Sequence, residues 1–343
     1  MADQPVSLRQ MAQQMNVAVS TVSRALAGDR GVGAKRAGEI RRLARSLGYR
    51  PRPLRRKRAD AIALLIATPK PGVADDIFQQ MVISQVERCA SAQGRHVHVE
   101  FTSREESAAA PAVLAENRVD GVVLTGHPSA DLCWRLRDSE TPVVVIEDHV
   151  ERTGCSSVMT DFGPGVAEAI GRLGDLGHER IGLVISRREY PSIARRYHAY
   201  VETLRAIGIA ADPEWVIENV EPTVAGGRTA VQLYLERRDP PTAILFGNDW
   251  MALGGLNELL RRGYHVPRDI SLVGHDNISI CEELSPALTS VDGRVAELVG
   301  EAMELLEQQI AGESGEPVQR NVEGYLVWRE SCGENRKVLN GSA

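Results

Sequence analysis

Residues 6–30 read VSLRQMAQQMNVAVSTVSRALAGDR, and the apolar side chains in this stretch recur at helical spacing. Ser7 is a good N-cap residue, and Asn16 tolerates the left-handed backbone that a tight turn between two helices needs. The pattern predicts three short helices, which run from Ser7 to Asn16, from Val19 or Ser20 to Gly28, and from 34 to 47. Their apolar faces are expected to close one small core.

The outer face of the second predicted helix carries short hydroxyl side chains and one guanidinium. Its residues are Ser20, Thr21, Ser23 and Arg24. Short side chains let a helix approach the base edges in the major groove of DNA, and an arginine can bind guanine through two hydrogen bonds. Ordinary surface hydroxyls, or an arginine that only contacts phosphate, are the alternative interpretations.

Charge is distributed unevenly along the chain. Residues 1–58 contain 14 Lys and Arg against 3 Asp and Glu, a net charge of +11, which leaves −17 for residues 59–343. A compact basic segment attracts DNA, because contact with phosphates releases condensed counterions. A merely solubilising basic tail is the alternative, but such a tail would not need regular apolar spacing.

Short apolar runs alternate with helical patterns through the acidic part of the chain. The runs are 61–67, 97–101, 121–124, 143–146, 181–185, 243–246 and 271–273. Such alternation predicts parallel sheets with helices on both faces. Folds of this kind bind ligands at the carboxyl ends of their strands.

Polar and aromatic residues that follow these runs are the candidate ligand contacts. They are Asp75, Asp76, Phe78, Thr125, His127, Glu147, Asp148, Asn248, Asp249, Trp250, Asp276 and Asn277, with Arg196 nearby. Carboxylates, amides and aromatic faces together suit a ligand with many hydroxyl groups. Asp and Asn also form turns at strand ends, and Trp250 could simply pack against the start of a helix.

Several classes of protein are disfavoured by the sequence. No P-loop, nucleophile elbow or metal-ligand spacing is present, so an enzyme is not expected, nor is a cofactor or a metal. A secreted binding or transport protein would need a signal segment and no basic helical unit. The longest apolar run, 61–67, is far below the roughly 20 residues of a membrane span. We therefore expect a cytoplasmic protein.

The five cysteines lie far apart in the sequence. They are Cys89, Cys133, Cys155, Cys281 and Cys332. Because no two are close in sequence, neither a zinc site nor a disulfide framework is indicated, and reduced structural thiols are expected.

Two blocks, residues 21–26 (TVSRAL) and 47–51 (LGYRP), resemble the headpiece of the LacI/GalR family of bacterial transcription regulators. The resemblance implies that Val19, Ser20 and Arg24 read the bases of an operator. The other expected DNA contacts of this segment are Ser7, Thr21, Ser23 and Tyr49.

Two positions depart from the family pattern in this segment. Ala27 replaces an Asn, and Ala18 replaces the Ser that caps the recognition helix. Losing that cap costs about 0.5–2 kcal/mol of local stability. The second helix is therefore expected to begin one turn later, or to tighten on DNA.

The linker, residues 50–58 (RPRPLRRKR), is shorter than in the family. There the corresponding segment forms a short helix on the operator and inserts a leucine into the minor groove, a role that only Leu54 could take here. The alternative is an extended basic arm along the narrow minor groove, with Arg52, Arg55 and Arg56 as contacts. We favour the arm.

The resemblance continues to about Ser331. The matching blocks are 161–165, 176–178, 248–254, 273–277, 288–291 and 329–331, with Arg196 and Tyr200. It implies an effector cleft between two subdomains, contacted by Arg196, Asn248, Asp276 and Glu147. Phe162, where the family has Asn, and Ala199, where it has Gly, alter the details of this cleft.

The expected fold is an all-α helix-turn-helix headpiece followed by an α/β periplasmic-binding-protein-like body of two parallel-sheet subdomains. The expected boundaries are 1–49 for the headpiece, 50–60 for the linker, 61–157 with 289–320 for subdomain one, 158–288 with 321–331 for subdomain two, and 332–343 for a tail. A homodimer is expected on a double-stranded, nearly palindromic operator, because two headpieces bind two half-sites. A sugar or sugar derivative is expected to control this regulator, which is expected to be a repressor; activation is the alternative, because the sign depends on where the operator lies relative to a promoter.

Overall fold

The computed structural model describes residues 8–26, 32–47, 59–68, 77–103, 118–126, 128–147, 153–313 and 315–335. The chain divides into one unit of residues 1–58 and another of residues 59–343. Some residues singled out above lie outside the described ranges: Ser7, Ala27, Gly28, Tyr49, Arg52, Leu54, Arg55, Arg56, Asp75, Asp76, His127 and Asp148. The second unit begins at Ala59 rather than at residue 61, because the backbone amides of Ala59 and Asp60 donate to the carboxylate of Asp120 at 2.9 and 3.0 Å.

Three helices form the described part of the first unit: α1 (Leu8–Met15), α2 (Val19–Leu26) and α3 (Ala34–Ser46). Met11, Val22, Ala25 and Ile40 are fully buried in their common core. Asn16 follows α1 with a φ of 52°, the left-handed conformation predicted for the turn.

Helix α2 begins at Val19, directly after Ala18. The backbone amides of Thr21 and Val22 donate to the carbonyl oxygen of Ala18 at 2.9 and 3.3 Å. The expectation that this helix begins one turn later is therefore wrong. The carbonyl of residue 18 accepts the first helical hydrogen bonds whatever its side chain, and Ala18 lacks only a side-chain acceptor for the free amides of the first turn.

The described part of the second unit forms two six-stranded sheets. Its elements are β1 (Ala61–Thr68), α4 (Ile77–Ala92), β2 (His96–Ser103), β3 (Gly121–Gly126), α5 (Ala130–Asp138), β4 (Val143–Ile146), β5 (Ser156–Asp161), α6 (Gly163–Asp175), β6 (Ile181–Val184), α7 (Pro191–Ala206), β7 (Val216–Ile217), α8 (Val224–Leu235), β8 (Ala243–Phe246), α9 (Asp249–Arg261), β9 (Ser271–His275), α10 (Ile280–Glu283), β10 (Thr289–Asp292), α11 (Val295–Ala311), β11 (Gln319–Glu323) and β12 (Tyr325–Val327). The strand order is β11-β5-β4-β3-β1-β2 in the first sheet and β12-β10-β9-β8-β6-β7 in the second. Only β12 runs antiparallel to its neighbour among the strand pairs described.

The first sheet is covered on both faces, which explains the continuous apolar run of β1. Ile62, Leu64 and Ile66 point to a cluster formed with α4 and α11. The alternate residues of β1, Ala63 and Leu65 among them, join a second cluster with α5. The second sheet has the same arrangement, with α6 and α7 on one face and α8 and α9 on the other.

Three chain segments cross between the two sheets, at 161–163, 292–295 and 323–325. The subdomain boundaries predicted from the sequence put these crossings at 157–158, 288–289 and 320–321. They lie a few residues later, because β5 and β11 pair with each other in the first sheet and β10 pairs with β9 in the second. The expected start of a tail at residue 332 also moves, because His178 Nε2 donates to the carbonyl oxygen of Gly333 at 2.9 Å and holds this segment against the second sheet.

None of the helices in the described ranges is long and apolar enough to cross a membrane.

Helices α8 and α9 approach closely enough to require glycine. A Cβ on Gly254 would lie 1.9 Å from the carbonyl oxygen of Val224, a backbone atom that cannot move aside cheaply. We expect Gly254→Ala to lower the free energy of unfolding by about 1–3 kcal/mol through overpacking. The matched control is Gly300→Ala in α11, where a Cβ would meet nothing within 4 Å and should stabilise by about 0.5–1 kcal/mol. Urea midpoints measure both changes, and equal midpoints for the two variants would contradict the close approach.

Candidate functional site

Helix α2 presents a polar outer face in the first unit. Val19 is 40% exposed, and Ser20 and Arg24 are exposed as well, whereas Val22 and Ala25 on the opposite face are buried. Thr21 is half-buried beside them, and Ser23 belongs to the same helix. The three residues expected to read bases therefore occupy accessible positions on one short helix.

Helix α3 adds positive charge to the same unit. Lys35, Arg36, Arg41 and Arg42 are all exposed. Arg36 also donates to the carbonyl oxygen of Met15 at 2.9 Å, which joins the start of α3 to the carboxyl end of α1. A small helical unit with this charge suits a phosphate backbone.

In the second unit, Arg196 of α7 lies at the carboxyl ends of the strands of the second sheet. Its guanidinium donates to the carbonyl oxygen of Gly247, and Nη2 is 3.7 Å from Oδ1 of Asp276. Cζ lies 4.0 Å from the centroid of the Phe162 ring in the first crossing. Arg196 is only 7% exposed, and its Nε has no hydrogen-bond partner among the described residues.

Glu147 reaches this region from the end of β4 in the first sheet. Its backbone has a φ of 63°, and its Oε1 accepts from the amide of Thr160 at 2.8 Å. Burial raises the pKa of Glu147, an effect that the Thr160 hydrogen bonds and the charges of Arg196 and Arg195 oppose. The structure thus places Glu147 and Asp276, which both follow strands, near Arg196 of α7.

His275, the last residue of β9, was not among the expected ligand contacts. Its Nδ1 lies 2.6 Å from the carbonyl oxygen of Phe246, and because a carbonyl only accepts, Nδ1 carries the hydrogen. Its Nε2 then carries no hydrogen and can only accept. This atom is buried and has no hydrogen-bond partner among the described residues. The ring meets Phe162 edge-on at 5.7 Å. Burial and the charge of Arg196 lower the pKa of His275 to about 3, so the imidazole is neutral at physiological pH.

Other expected contacts have structural partners. Asn248 caps α9, since its Oδ1 accepts from Met251 N at 2.8 Å and its Nδ2 donates to the Pro222 carbonyl at 3.1 Å. Asp249 is fully buried and accepts from the Ser290 hydroxyl and the Ile278 amide at 2.7 and 2.9 Å. Burial raises the pKa of this carboxyl to about 6.

Phe78 and Trp250 pack against the hydrophobic cores, and Asn277 bonds to Asp292 and Arg329. Thr125, at the end of β3, is fully buried, and its hydroxyl lacks a partner within the described ranges. Phe78 and Trp250 thus have structural roles in the cores, and Asn277 has one in hydrogen bonds to neighbouring side chains. This Thr125 hydroxyl lies near the carboxyl end of β3, and folds of this class bind ligands at the carboxyl ends of their strands.

Arg196, Phe162, His275 and Asp276 are buried. Two cavities of about 560 and 170 Å³ lie elsewhere, beside β7 and α8 and between α5 and the end of α11. Ile77 and Met81 of α4 pack against the core of the second sheet. In the described part of the chain, no three His, Cys, Asp or Glu side chains are grouped to hold a metal.

The neutral state of His275 can be tested by the pH dependence of stability. An unfolded histidine binds its proton near pH 6.5, whereas His275 does so in the native protein at about 3, so its contribution to stability is complete above pH 6.5 and is lost as the pH falls. We therefore expect wild type to lose stability relative to His275→Phe by up to about 1.4 kcal/mol for each pH unit below pH 6.5. The raised pKa of Asp249 gives stability the opposite pH dependence, but it does so in both proteins and cancels in the comparison. His98→Gln, at an exposed strand position, is the control; a pH-independent difference for His275→Phe would contradict the assignment.

Comparison with known proteins supports this architecture. Residues 170–332 match the model of the periplasmic binding protein-like domain family. The chain is 29% identical to the HTH-type transcriptional repressor CytR of Escherichia coli K12, over 95% of this chain and 96% of CytR. It is 30% identical to the HTH-type transcriptional regulator CelR of Thermobifida fusca, over 95% of this chain and 98% of CelR. The solved complex of transcriptional regulator CelR with cellobiose superposes with a TM-score of 0.72 at 28% identity, covering 95% of this chain and 99% of that one.

These relatives confirm the predicted fold class, a helical headpiece before a periplasmic-binding-protein-like body. They are regulators of transcription, which confirms the prediction that the chain is not an enzyme. From its helix-turn-helix unit, its two-sheet body and its similarity to CelR along nearly the whole chain, this protein belongs to the LacI/GalR family of DNA-binding transcription regulators.

Proposed function

We propose that this regulator binds a small polyhydroxylated effector of the carbohydrate class between its two sheets, and that binding changes its affinity for a double-stranded operator. One observation carries the proposal. Arg196 Nε is a buried donor without an acceptor, and His275 Nε2 is a buried acceptor without a donor, in the described part of the chain. Both side chains contact the same Phe162 ring.

A single hydroxyl group satisfies both atoms, because it can accept from Arg196 and donate to His275 at once. Each buried polar atom left without a partner costs about 1–3 kcal/mol, so a ligand hydroxyl that fills this position gains correspondingly. The carboxylates of Glu147 and Asp276 supply further acceptors, and the Thr125 hydroxyl supplies another donor or acceptor on the first sheet. A ligand with several hydroxyl groups matches this set.

The proposed effector contacts belong to both sheets. Thr125 lies at the end of β3 and Glu147 follows β4, both in the first sheet, whereas His275 ends β9, Asp276 follows it and Arg196 lies in α7, all on the side of the second sheet. A ligand that bridges them favours one arrangement of the subdomains, and a preference for one state is what couples two sites. Such coupling typically changes affinity about 5–150-fold.

On the DNA side, we propose that α2 enters the major groove and that Val19, Ser20 and Arg24 contact bases, with Thr21 and Ser23 on phosphate. Ser7, Tyr49 and the linker residues Arg52, Leu54, Arg55 and Arg56 stay proposed contacts. We also propose a homodimer on a nearly palindromic site, because two linked headpieces multiply affinity. The protein would then act as a repressor in the cytoplasm, where its operator lies.

The effector proposal predicts a ligand that acts on both stability and DNA binding. Thermal-shift screening of mono- and disaccharides should find a sugar that raises Tm, and that sugar should change operator affinity about 5–150-fold. His275→Phe should weaken sugar binding about 5- to 100-fold by removing the acceptor, with operator affinity in the absence of sugar unchanged. Arg205→Gln, exposed at the end of the same helix as Arg196, is the control.

Two outcomes would reject this proposal. If no carbohydrate raises Tm while another class of small molecule does, the effector class is wrong. If a sugar raises Tm and leaves operator affinity unchanged, the coupling is wrong. Genome-wide selection of bound DNA supplies the operator for these measurements.

The DNA proposal predicts a loss of specificity in Arg24→Ala. A base contact by arginine is worth about 1–3 kcal/mol, so affinity for the operator should fall about 5- to 150-fold, with a much smaller loss on unrelated DNA. Gln14→Ala, at an exposed position of α1, is the control. Fluorescence anisotropy over a range of salt concentrations measures both. An equal loss on operator and unrelated DNA would identify Arg24 as a phosphate contact instead.

A further inference from the structure

Two cysteines that are distant in sequence lie together in the first sheet's subdomain. Cys133 belongs to α5, and Cys155 immediately precedes β5. The Cys155 thiol donates to the carbonyl oxygen of Cys133 at 3.9 Å, and the Cys133 side chain is close enough to lower the pKa of Cys155. Both belong to the hydrophobic cluster between the sheet and α5, where Cys133 is fully buried and Cys155 is partly exposed. Two cysteines packed this closely need little backbone movement to join.

Cys155 has the surroundings of a reactive thiol. It lines a cavity of about 170 Å³ together with Arg137, Ser156 and the end of α11. Arg137 is fixed beside it, because its Nη1 donates to the carbonyl oxygen of Thr153 at 2.9 Å. The hydrogen bond from Cys133, one with Thr153 and the charge of Arg137 together lower the pKa of Cys155 to about 7, against the effect of burial. A substantial fraction is therefore thiolate at neutral pH, the form that attacks peroxides.

The buried thiols of Cys281 and Cys332 have raised pKa values instead. Burial raises the pKa of Cys332 to about 12, and burial beside Asp249 raises the pKa of Cys281 as well. Such thiols stay protonated and unreactive. Among Cys155, Cys281 and Cys332, the surroundings of a reactive thiol are thus found only at Cys155, which packs against Cys133.

We propose that Cys155 and Cys133 form a reversible, peroxide-sensitive disulfide. The Cys155 thiolate attacks one oxygen of hydrogen peroxide, the O–O bond breaks, and the departing hydroxide takes a proton to leave as water. Cys155 is then a sulfenic acid. The Cys133 sulfur attacks the Cys155 sulfur, the S–O bond breaks, and the hydroxyl leaves as a second water with the Cys133 proton. Two thiols are oxidised to one disulfide while one peroxide is reduced to two waters, and a cellular dithiol reverses the reaction.

The disulfide would join α5 to the segment before β5. That segment lines the same cavity as the end of α11, and β5 leads directly to the crossing that carries Phe162. A covalent link at this position restrains one end of β5 in the first sheet. The proposal is independent of the effector and of the operator.

The test uses the full-length reduced protein and hydrogen peroxide. Wild type should lose two hydrogens by intact mass, and non-reducing peptide mapping should find the peptides of Cys133 and Cys155 joined, with reversal by dithiothreitol. In Cys133→Ser, Cys155 should stop at a sulfenic acid that dimedone traps, because no neighbouring thiol can displace the hydroxyl. Cys155→Ser should slow the first oxidation at least tenfold, whereas Cys89→Ser, which removes a partly exposed thiol elsewhere, should behave as wild type.

The mapping of wild type decides the proposal even if a variant fails to fold. A joined pair other than Cys133 and Cys155, or oxidation without a disulfide, would overturn it. The rate of Cys155 alkylation gives an independent readout and should fall as the pH decreases through about 7. A rate that is still rising steeply above pH 8 would also contradict the assignment.

Discussion

The buried guanidinium of Arg196 is the interaction on which the second unit's candidate ligand region depends. Removing a charged group from water costs several kcal/mol unless neighbouring groups compensate. Here the compensation comes from different parts of the chain: the carbonyl of Gly247 after β8, the carboxylate of Asp276 after β9, and the face of Phe162 in the first crossing. The position of Arg196 therefore fixes three strand ends relative to one another.

The crossings give this cluster its connection to the first sheet. Thr160 donates through its hydroxyl to the carbonyl of Gly293 at 3.0 Å, and Gly324 N donates to the carbonyl of Asp161 at 2.8 Å, so all three crossings are linked by hydrogen bonds. Glu147 binds the amide of Thr160 in the same region. A rotation of the subdomains about these short segments would move Glu147 relative to Arg196, which is the motion that a bridging ligand would oppose.

Much of this fold could be predicted because its central strands are buried on both faces and are therefore apolar. All seven predicted runs are strands. Five of the described strands, β5, β7, β10, β11 and β12, lie outside those runs. Two of them, β5 and β10, contain Ser156, Ser157, Thr289 and Ser290, which are buried and hydrogen bonded in context, for example Ser290 to Asp249. Polar residues of this kind give no apolar signal, and the expected subdomain boundaries shifted for that reason.

Some residues of the candidate site could also be predicted from the sequence, and others could not. Strand-end position and family resemblance both pointed to Asp276 and Glu147, and the resemblance pointed to Arg196; the structure places the three near one another, and their contact with a ligand stays a prediction. Asn248 was interpreted as a ligand contact, although an Asn before a helix is also a capping signal, and the structure shows the cap. His275 is the last residue of β9, and only its tautomer, fixed by the Phe246 carbonyl, reveals an acceptor without a partner among the described residues. Contact between Cys133 and Cys155 depends on packing that no local pattern encodes.

The same electrostatics limit the charge of the effector. Arg196 already has Asp276 and a carbonyl as partners, and His275 is neutral, so neither offers an uncompensated positive charge to a phosphorylated ligand. Glu147 and Asp276 would repel such a ligand. A cationic ligand would face Arg196 at close range. An uncharged molecule meets no such opposition, and its hydroxyl groups can supply both the donor that His275 lacks and the acceptor that Arg196 Nε lacks. Charge compensation inside the cluster thus favours a neutral sugar over its phosphate.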